Sequence, residues 1–89
     1  MTTEFEALCA RHPGWTCTGT ELVRTWDCRD AEEAVRLLQR IIALSMEQDH
    51  HPELTWTYRR IHLRLTTHEE GGLGPRDVRW VEALERTGG

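Results

Sequence analysis

The strongest pattern in the chain is a helical repeat over residues 31–48, where apolar side chains recur at i, i+3, i+4 and i+7. Asp30 precedes the repeat as an N-cap, and Glu33 follows three residues later, as in a capping box. Met46 continues the apolar stripe and is predicted to be a core filler. The predicted stripe consists of Ala34, Val35, Leu38, Ile41, Ile42 and Ser45.

Two shorter helical patterns flank this segment. Residues 3–11 place Phe5 and Leu8 on one side of a helix that ends at His12-Pro13-Gly14. A last helix is predicted to begin at Pro75, because a missing N–H costs nothing at the first helical position. Its apolar side consists of Trp80, Val81 and Leu84.

Four further segments have the pattern of β-strands. Residues 15–18 and 22–26 surround Gly19 as a plausible hairpin, and residues 54–57 and 58–67 follow the long helix. In the last of these, apolar and polar residues alternate, which is typical of a strand with one buried face. The alternating pairs are Ile61-His62, Leu63-Arg64 and Leu65-Thr66.

The predicted order of elements is therefore α-β-β-α-β-β-α. Strands with alternating faces need one covered side, so the fold class is predicted to be α+β. We expect a four-stranded antiparallel sheet with three helices packed on one face. The 89 residues leave room for one core, which predicts a single domain over residues 1–89.

The composition of the chain argues against several classes of function. The formal net charge is −4, and all 11 basic residues are arginines. The absence of lysine excludes Schiff-base chemistry on this chain, and the acidic balance argues against nucleic-acid binding. The longest apolar run, Ile41 to Leu44, is too short to span a membrane, and no secretory signal pattern is present, so a cytoplasmic location is expected.

The candidate chemistry lies at Asp49-His50-His51-Pro52, directly after the long helix. Pro52 disfavours helical dihedrals at His51, so the helix must end here and present two imidazoles in different directions. Imidazole gives and takes protons near neutrality. His68, at the end of the last strand, could join them, although His50 could simply complement the negative end of the helix dipole.

A metal site is the first alternative to proton transfer. Three histidines near carboxylates could bind zinc or non-haem iron. Adjacent histidines are poorly placed to share one metal, however, and no HExxH spacing occurs. Three cysteines (Cys9, Cys17 and Cys28) form no CxxC pair, which favours reduced thiols over a zinc or disulfide framework. No bound metal is therefore expected.

A spaced set of motifs over residues 5–86 resembles the signature of the pterin-4a-carbinolamine dehydratases. Each motif alone is weak, but their combined spacing is specific. The set comprises Gly14-Trp15, Asp49-His50-His51-Pro52, the strand from Tyr58 to Leu63, Thr67-His68-Glu69, Gly72-Leu73 and Arg76-Asp77.

This resemblance implies a hydro-lyase that dehydrates 4a-hydroxytetrahydropterin to quinonoid dihydropterin and so recycles the cofactor of aromatic amino acid hydroxylases. The pterin is the substrate, no cofactor or metal is needed, and the family assembles as homodimers or homotetramers on the fold expected above. By the resemblance, the catalytic residues are His50, His51 and His68. The residues that line or support the pterin pocket are Trp15, Asp49, Arg76 and Asp77.

Physical chemistry suggests roles for three of these residues. Trp15 offers a flat apolar face for stacking, and Asp49 could orient a histidine tautomer by accepting a hydrogen bond. Arg76 could contact the pterin or, equally, pair with Asp77 or Glu69 in the first turn of its helix.

One position departs from the family pattern. The family usually carries an acidic residue four positions before the first histidine of the pair, where this chain has Met46. Glu47 is one helical residue, or about 100°, away and should point elsewhere. The substitution leaves an alternative open, a non-catalytic protein-interaction or assembly module on the same scaffold.

Overall fold

The computed structural model describes residues 3–66 and 72–87, and its elements follow the predicted order. The strand order in the single sheet is β1-β2-β4-β3, with every neighbouring pair antiparallel. The α+β prediction is confirmed. The elements are α1 Glu4–Arg11, β1 Thr16–Cys17, β2 Leu22–Asp27, α2 Ala31–Gln48, β3 Glu53–Thr57, β4 Arg60–Leu65 and α3 Pro75–Arg86.

The ends of α2 follow from local chemistry. Asp30 Oδ1 accepts a hydrogen bond from the Glu33 N–H at 2.8 Å, and Glu33 Oε1 accepts one from the Arg29 N–H at 3.0 Å. At the other end Asp49 adopts the left-handed conformation with φ 49°, which aspartate tolerates better than most residues. This reversal, followed by Pro52, directs the chain away from the helix and determines the position of His50.

The core lies between the helices and one face of the sheet. Ile61, Leu63 and Leu65 of β4 are fully buried and belong to one cluster with buried residues of all three helices. His62 and Arg64 face the other way, as the alternation predicted. The three helices therefore cover the face of the sheet that carries Ile61.

The prediction for the buried stripe of α2 is partly wrong. The side chains that α2 buries are Ala34, Leu37, Ile41, Leu44 and Ser45. Val35, Ile42 and Met46 are 37%, 53% and 69% exposed, so Met46 is not a core filler. The apolar arc of α2 is wider than the strip of sheet and α3 that it contacts, and periodicity alone could not tell which side of the arc packs inward.

Strand β3 is an edge of the sheet, and its helix-side residues are not covered. Leu54 pairs with Leu63 and Trp56 pairs with Ile61, which places both on the face that the helices cover elsewhere. They are nevertheless 36% and 50% exposed. Together with the exposed apolar side chains of α2 they form what we call the edge surface. It consists of Val35, Ile42, Met46, Leu54 and Trp56.

No helix in the described part of the chain is both long and apolar enough to cross a membrane.

Candidate active site

The centre of the site is a buried pair formed by His50 and Asp77. His50 Nε2–H donates to Asp77 Oδ1 across 2.6 Å, and the two side chains are 7% and 0% exposed. They come from separate elements, since His50 follows α2 and Asp77 lies in the first turn of α3. A carboxylate bound to one ring nitrogen sets the tautomer and orientation of an imidazole, which leaves Nδ1 to exchange a proton.

Asp77 is itself held in place by the start of α3. Its Oδ2 accepts a hydrogen bond from the Gly74 N–H at 2.9 Å. That contact satisfies one of the amide groups left unpaired at a helix N-terminus. The carboxylate that binds His50 is that of Asp77, whereas Asp49 occupies the left-handed turn and is exposed. That Asp49 orients a histidine tautomer stays a prediction.

A second contact joins the same two elements through Asp49 and Arg76. Arg76 Nη2 donates to the main-chain oxygen of Asp49 across 2.5 Å. The end of α2 and the beginning of α3 are therefore linked twice, once by His50 and Asp77 and once by this bond. Helices α2 and α3 also pack against each other, so both bonds join elements that are already in contact.

His51 lies beside the pair but has a different environment. Its side chain is exposed, and the next residues, Pro52 and Glu53, lead directly into β3. The two adjacent imidazoles thus divide into one buried and oriented ring and one open to solvent. His68 lies outside the described residues, so its convergence with the other two stays a prediction.

Trp15 is placed differently from what the stacking prediction requires. Its side chain is 3% exposed and packs edge-on against Trp26 and Trp80, with ring centroids 5.8 and 6.4 Å apart. Its Nε1–H donates to Glu85 Oε1 at 2.8 Å. This burial does not support a face open for stacking, and the role of Trp15 in substrate binding stays a prediction.

Two other histidines have structural partners. His62 lies on the face of the sheet away from Ile61, as the alternation in β4 predicts, with Nδ1 2.7 Å from Thr25 Oγ1. His12 contacts Glu82 Oε2 through Nε2 at 3.2 Å. Hydrogen bonds from Arg11 and then from His12 lower the pKa of Glu82. These two histidines belong to the framework and not to the site.

Two residues near the site were missed by sequence reasoning. Gln48, the last residue of α2, and Arg79 of α3 line a cavity of about 300 Å³ together with Arg76. The available signal was the spacing of Arg76 and Arg79, since residues three apart on a helix lie on one face. Gln48 gave no signal of its own.

Metal ligation has no visible support in residues 3–66 and 72–87, where no three His, Cys, Asp or Glu side chains come together in a group that could hold an ion. His68 lies outside these ranges, so the expectation of a metal-free site stays a prediction.

Comparison with known proteins identifies the family. The sequence model described as "Pterin 4 alpha carbinolamine dehydratase" matches residues 1–87. A relative from Thermomicrobium roseum that carries this family's name is 46% identical over 72 residues, covering 81% of this chain and 77% of that protein. A second one, from Rhodospirillum rubrum, is 37% identical over 79 residues, covering 86% of this chain and 82% of that protein.

A solved structure gives the same answer at the level of the fold. The crystal structure of a "transcriptional coactivator/pterin dehydratase" from Brucella melitensis has a TM-score of 0.79 and 26% sequence identity. The match covers 98% of this chain and 97% of the other. The sequence model, the relatives and the fold agree, and the chain belongs to the pterin 4 alpha carbinolamine dehydratase family.

Proposed function

We propose that this protein dehydrates 4a-hydroxytetrahydropterin to quinonoid dihydropterin by histidine acid/base catalysis without a metal. The observation that carries the proposal is the buried His50–Asp77 pair, 2.6 Å apart, with the exposed His51 next to it in a chain of this family. Asp77 keeps one imidazole oriented, while the exposed ring is free to meet a substrate.

The reaction requires two proton transfers and no redox change. The hydroxyl on C4a leaves as water after it receives a proton, and the ring nitrogen N5 loses a proton as the C4a=N5 double bond forms. The protons given and taken balance, so the enzyme returns to its starting state. A positioned general acid or base typically contributes on the order of 10²–10⁴-fold to such a step.

The environments of the two rings suggest a division of labour. The Nε2–H of His50 is engaged by Asp77, so Nδ1 is the ring nitrogen left to accept a proton. His51, open to solvent, is suited to deliver or relay a proton at the departing hydroxyl. His68 is proposed as the third imidazole on the strength of the family signature. The same signature supports an aromatic amino acid hydroxylase as the source of the substrate.

The decisive experiment follows the loss of enzymatically generated 4a-hydroxytetrahydropterin by ultraviolet absorbance. Wild-type protein should accelerate the decay, and His51→Ala should lose most of the acceleration. His62→Ala is the matched control, because His62 lies on the opposite face of the sheet with Thr25 as its partner. If wild type does not speed the decay, or if the His51 and His62 variants behave alike, the catalytic proposal fails. Equal rates before and after treatment with a chelator would support metal independence.

We propose further that the protein is a homo-oligomer in which the edge surface is covered by a second copy. The support is the exposure of Ile42 at 53%, Met46 at 69% and Trp56 at 50%, next to the open edge of β3. Exposed apolar patches and free strand edges favour association. Sedimentation analysis should give a dimer or tetramer for wild type and a monomer for Ile42→Glu. Glu47→Gln, on an exposed polar position of α2, is the control.

A second candidate function, a protein-interaction module, is favoured by one observation. The exposed Met46 stands where the family usually has an acidic residue, and the related Brucella melitensis protein is a transcriptional coactivator/pterin dehydratase. A variant lacking His50, His51 and His68 would then keep its partner binding. Loss of binding in that variant would contradict the module proposal.

A further inference from the structure

The cavity between the end of α2 and the first turns of α3 is the strongest unassigned feature of the molecule. It has a volume of about 300 Å³ and is lined by Gln48, Arg76 and Arg79. Arg76 Nη2 donates to the main-chain oxygen of Asp49, the residue before His50. The cavity that Arg76 lines therefore lies close to the proposed catalytic pair.

The lining of this cavity is cationic and rich in donors. Each arginine supplies a guanidinium cation with five N–H donors, and the Gln48 amide adds two further N–H groups. Among residues 3–66 and 72–87, no carboxylate lines the cavity. Asp77, the nearest acidic side chain on α3, is fully buried and directs its oxygens to His50 and to the Gly74 N–H.

The two arginines differ in how firmly their side chains are held. Arg76 is half-buried, and its bond to the main-chain oxygen of Asp49 holds the guanidinium at one position. Arg79 lies one turn later and is exposed. Within residues 3–66 and 72–87, Arg79 has no ion-pair or hydrogen-bond partner of its side chain. One guanidinium is thus preorganised and the other is available to close on a ligand.

We infer that this cavity binds an oxyanion, a phosphate or carboxylate, carried on the side chain of the pterin substrate. Planar guanidinium groups bind such oxyanions through paired N–H donors, with strength and directionality that lysine does not match. The inference rests on the proposed function, because it takes the bicyclic ring to lie at the adjacent histidines. The inferred substrate class is a pterin with an anionic side chain.

The test is calorimetric binding of three probes, namely neopterin, neopterin monophosphate and inorganic phosphate, to the full-length protein. Wild type should bind the monophosphate roughly 10-fold more tightly than neopterin, a ratio that corresponds to about 1.4 kcal/mol. Arg79→Gln should abolish this preference and leave neopterin binding unchanged. Arg86→Gln, an exposed arginine in the last turn of the same helix, is the matched control and should keep the preference.

The outcomes separate this inference from the proposed function. Equal affinity of wild type for neopterin and its monophosphate overturns the inference. An equal loss of the preference for the monophosphate in the Arg79 and Arg86 variants also overturns it. Inorganic phosphate that binds through Arg79 without any preference for the phosphorylated pterin also overturns it, because the cavity would then take a free anion. Failure of both pterins to bind, with phosphate binding that still depends on Arg79, counts against the dehydratase proposal and against the substrate class.

Discussion

Asp77 Oδ1 and His50 Nε2 lie 2.6 Å apart in the interior of the protein, although 27 residues separate them along the chain. The same carboxylate accepts the Gly74 N–H at 2.9 Å, so one side chain both starts α3 and orients the imidazole. Asp77 therefore links the geometry of the proposed catalytic pair to the folding of the last helix.

Asp77→Asn should lower dehydratase activity on the order of 10²-fold while the protein stays folded. Asparagine keeps the shape and one acceptor oxygen but removes the charge that favours the correct tautomer of His50. Initial rates and a circular dichroism melt measure the two effects. Asp27→Asn is the control, because Asp27 is exposed and pairs with Arg60 on the sheet surface. Activity of the Asp77 variant within twofold of wild type would contradict the assigned role.

The two adjacent histidines should respond differently to removal. His51→Ala should reduce activity by roughly 10²–10⁴-fold with a change in unfolding free energy of less than about 0.5 kcal/mol, because the side chain is exposed. His50→Ala should lose activity and also cost about 1–3 kcal/mol, because Oδ1 of the buried Asp77 carboxylate loses the imidazole donor. Urea titrations beside the rate assay measure both. Equal destabilisation by the two variants would contradict this division.

Gly14→Ala should destabilise the fold by about 1–2 kcal/mol through a clash with Arg24. A Cβ at position 14 would lie 2.5 Å from Arg24 Cζ, whose guanidinium is bonded to Glu85 at 2.6 Å and stacks over Trp26 at 4.8 Å. Moving the guanidinium would weaken both contacts. In an Arg24→Ala background the same substitution should cost nothing, and a double-mutant cycle measures this coupling. Additive effects would contradict the clash.

The ion pair of Glu82 should make stability depend on pH in the acid range. Because Arg11 and His12 lower the pKa of Glu82, the folded protein holds this carboxylate ionised more strongly than the unfolded chain does. The resulting stability is fully present above the ordinary pKa of 4.5 and is lost as the pH falls through the lower folded value.

Glu82→Gln should therefore cost up to about 1 kcal/mol near neutral pH and less at about pH 3. Denaturant unfolding at the two pH values measures the difference, with the exposed Glu47→Gln as the reference. A cost that grows as the pH falls would have the wrong sign and would contradict the argument.

Cys28 should resist alkylation in the folded protein. The thiol is 5% exposed, and burial, followed by the nearby Glu33, Asp27 and Asp30 carboxylates, raises its pKa, so little reactive thiolate forms near pH 8. Burial likewise raises the pKa of the partly buried Cys9. Mass-spectrometric mapping after iodoacetamide treatment should find Cys28 unmodified until denaturant is added. Rapid modification in native buffer would contradict the burial.

The positions of the elements were predictable because they depend on local chemistry. The Asp30 N-cap, Pro75 at the start of α3 and the alternation around Ile61 are read over a few neighbouring residues, and each element appears at the predicted place. The motif Asp49-His50-His51-Pro52 likewise marks the end of α2 from sequence alone. The combined spacing of this motif and the others over residues 5–86 indicated the family.

Partnerships between distant residues depended on tertiary structure. Which carboxylate meets His50 is decided by how α3 packs on α2, and no local pattern distinguishes Asp77 from Asp49. The burial of Trp15 and the exposure of Met46 also depend on tertiary packing. Apolar character predicts that such side chains can be buried, but it does not say which are: Trp15 lies in the core while Met46 faces solvent. Local interactions determine where a chain turns, whereas the packing of whole faces determines which side chains meet.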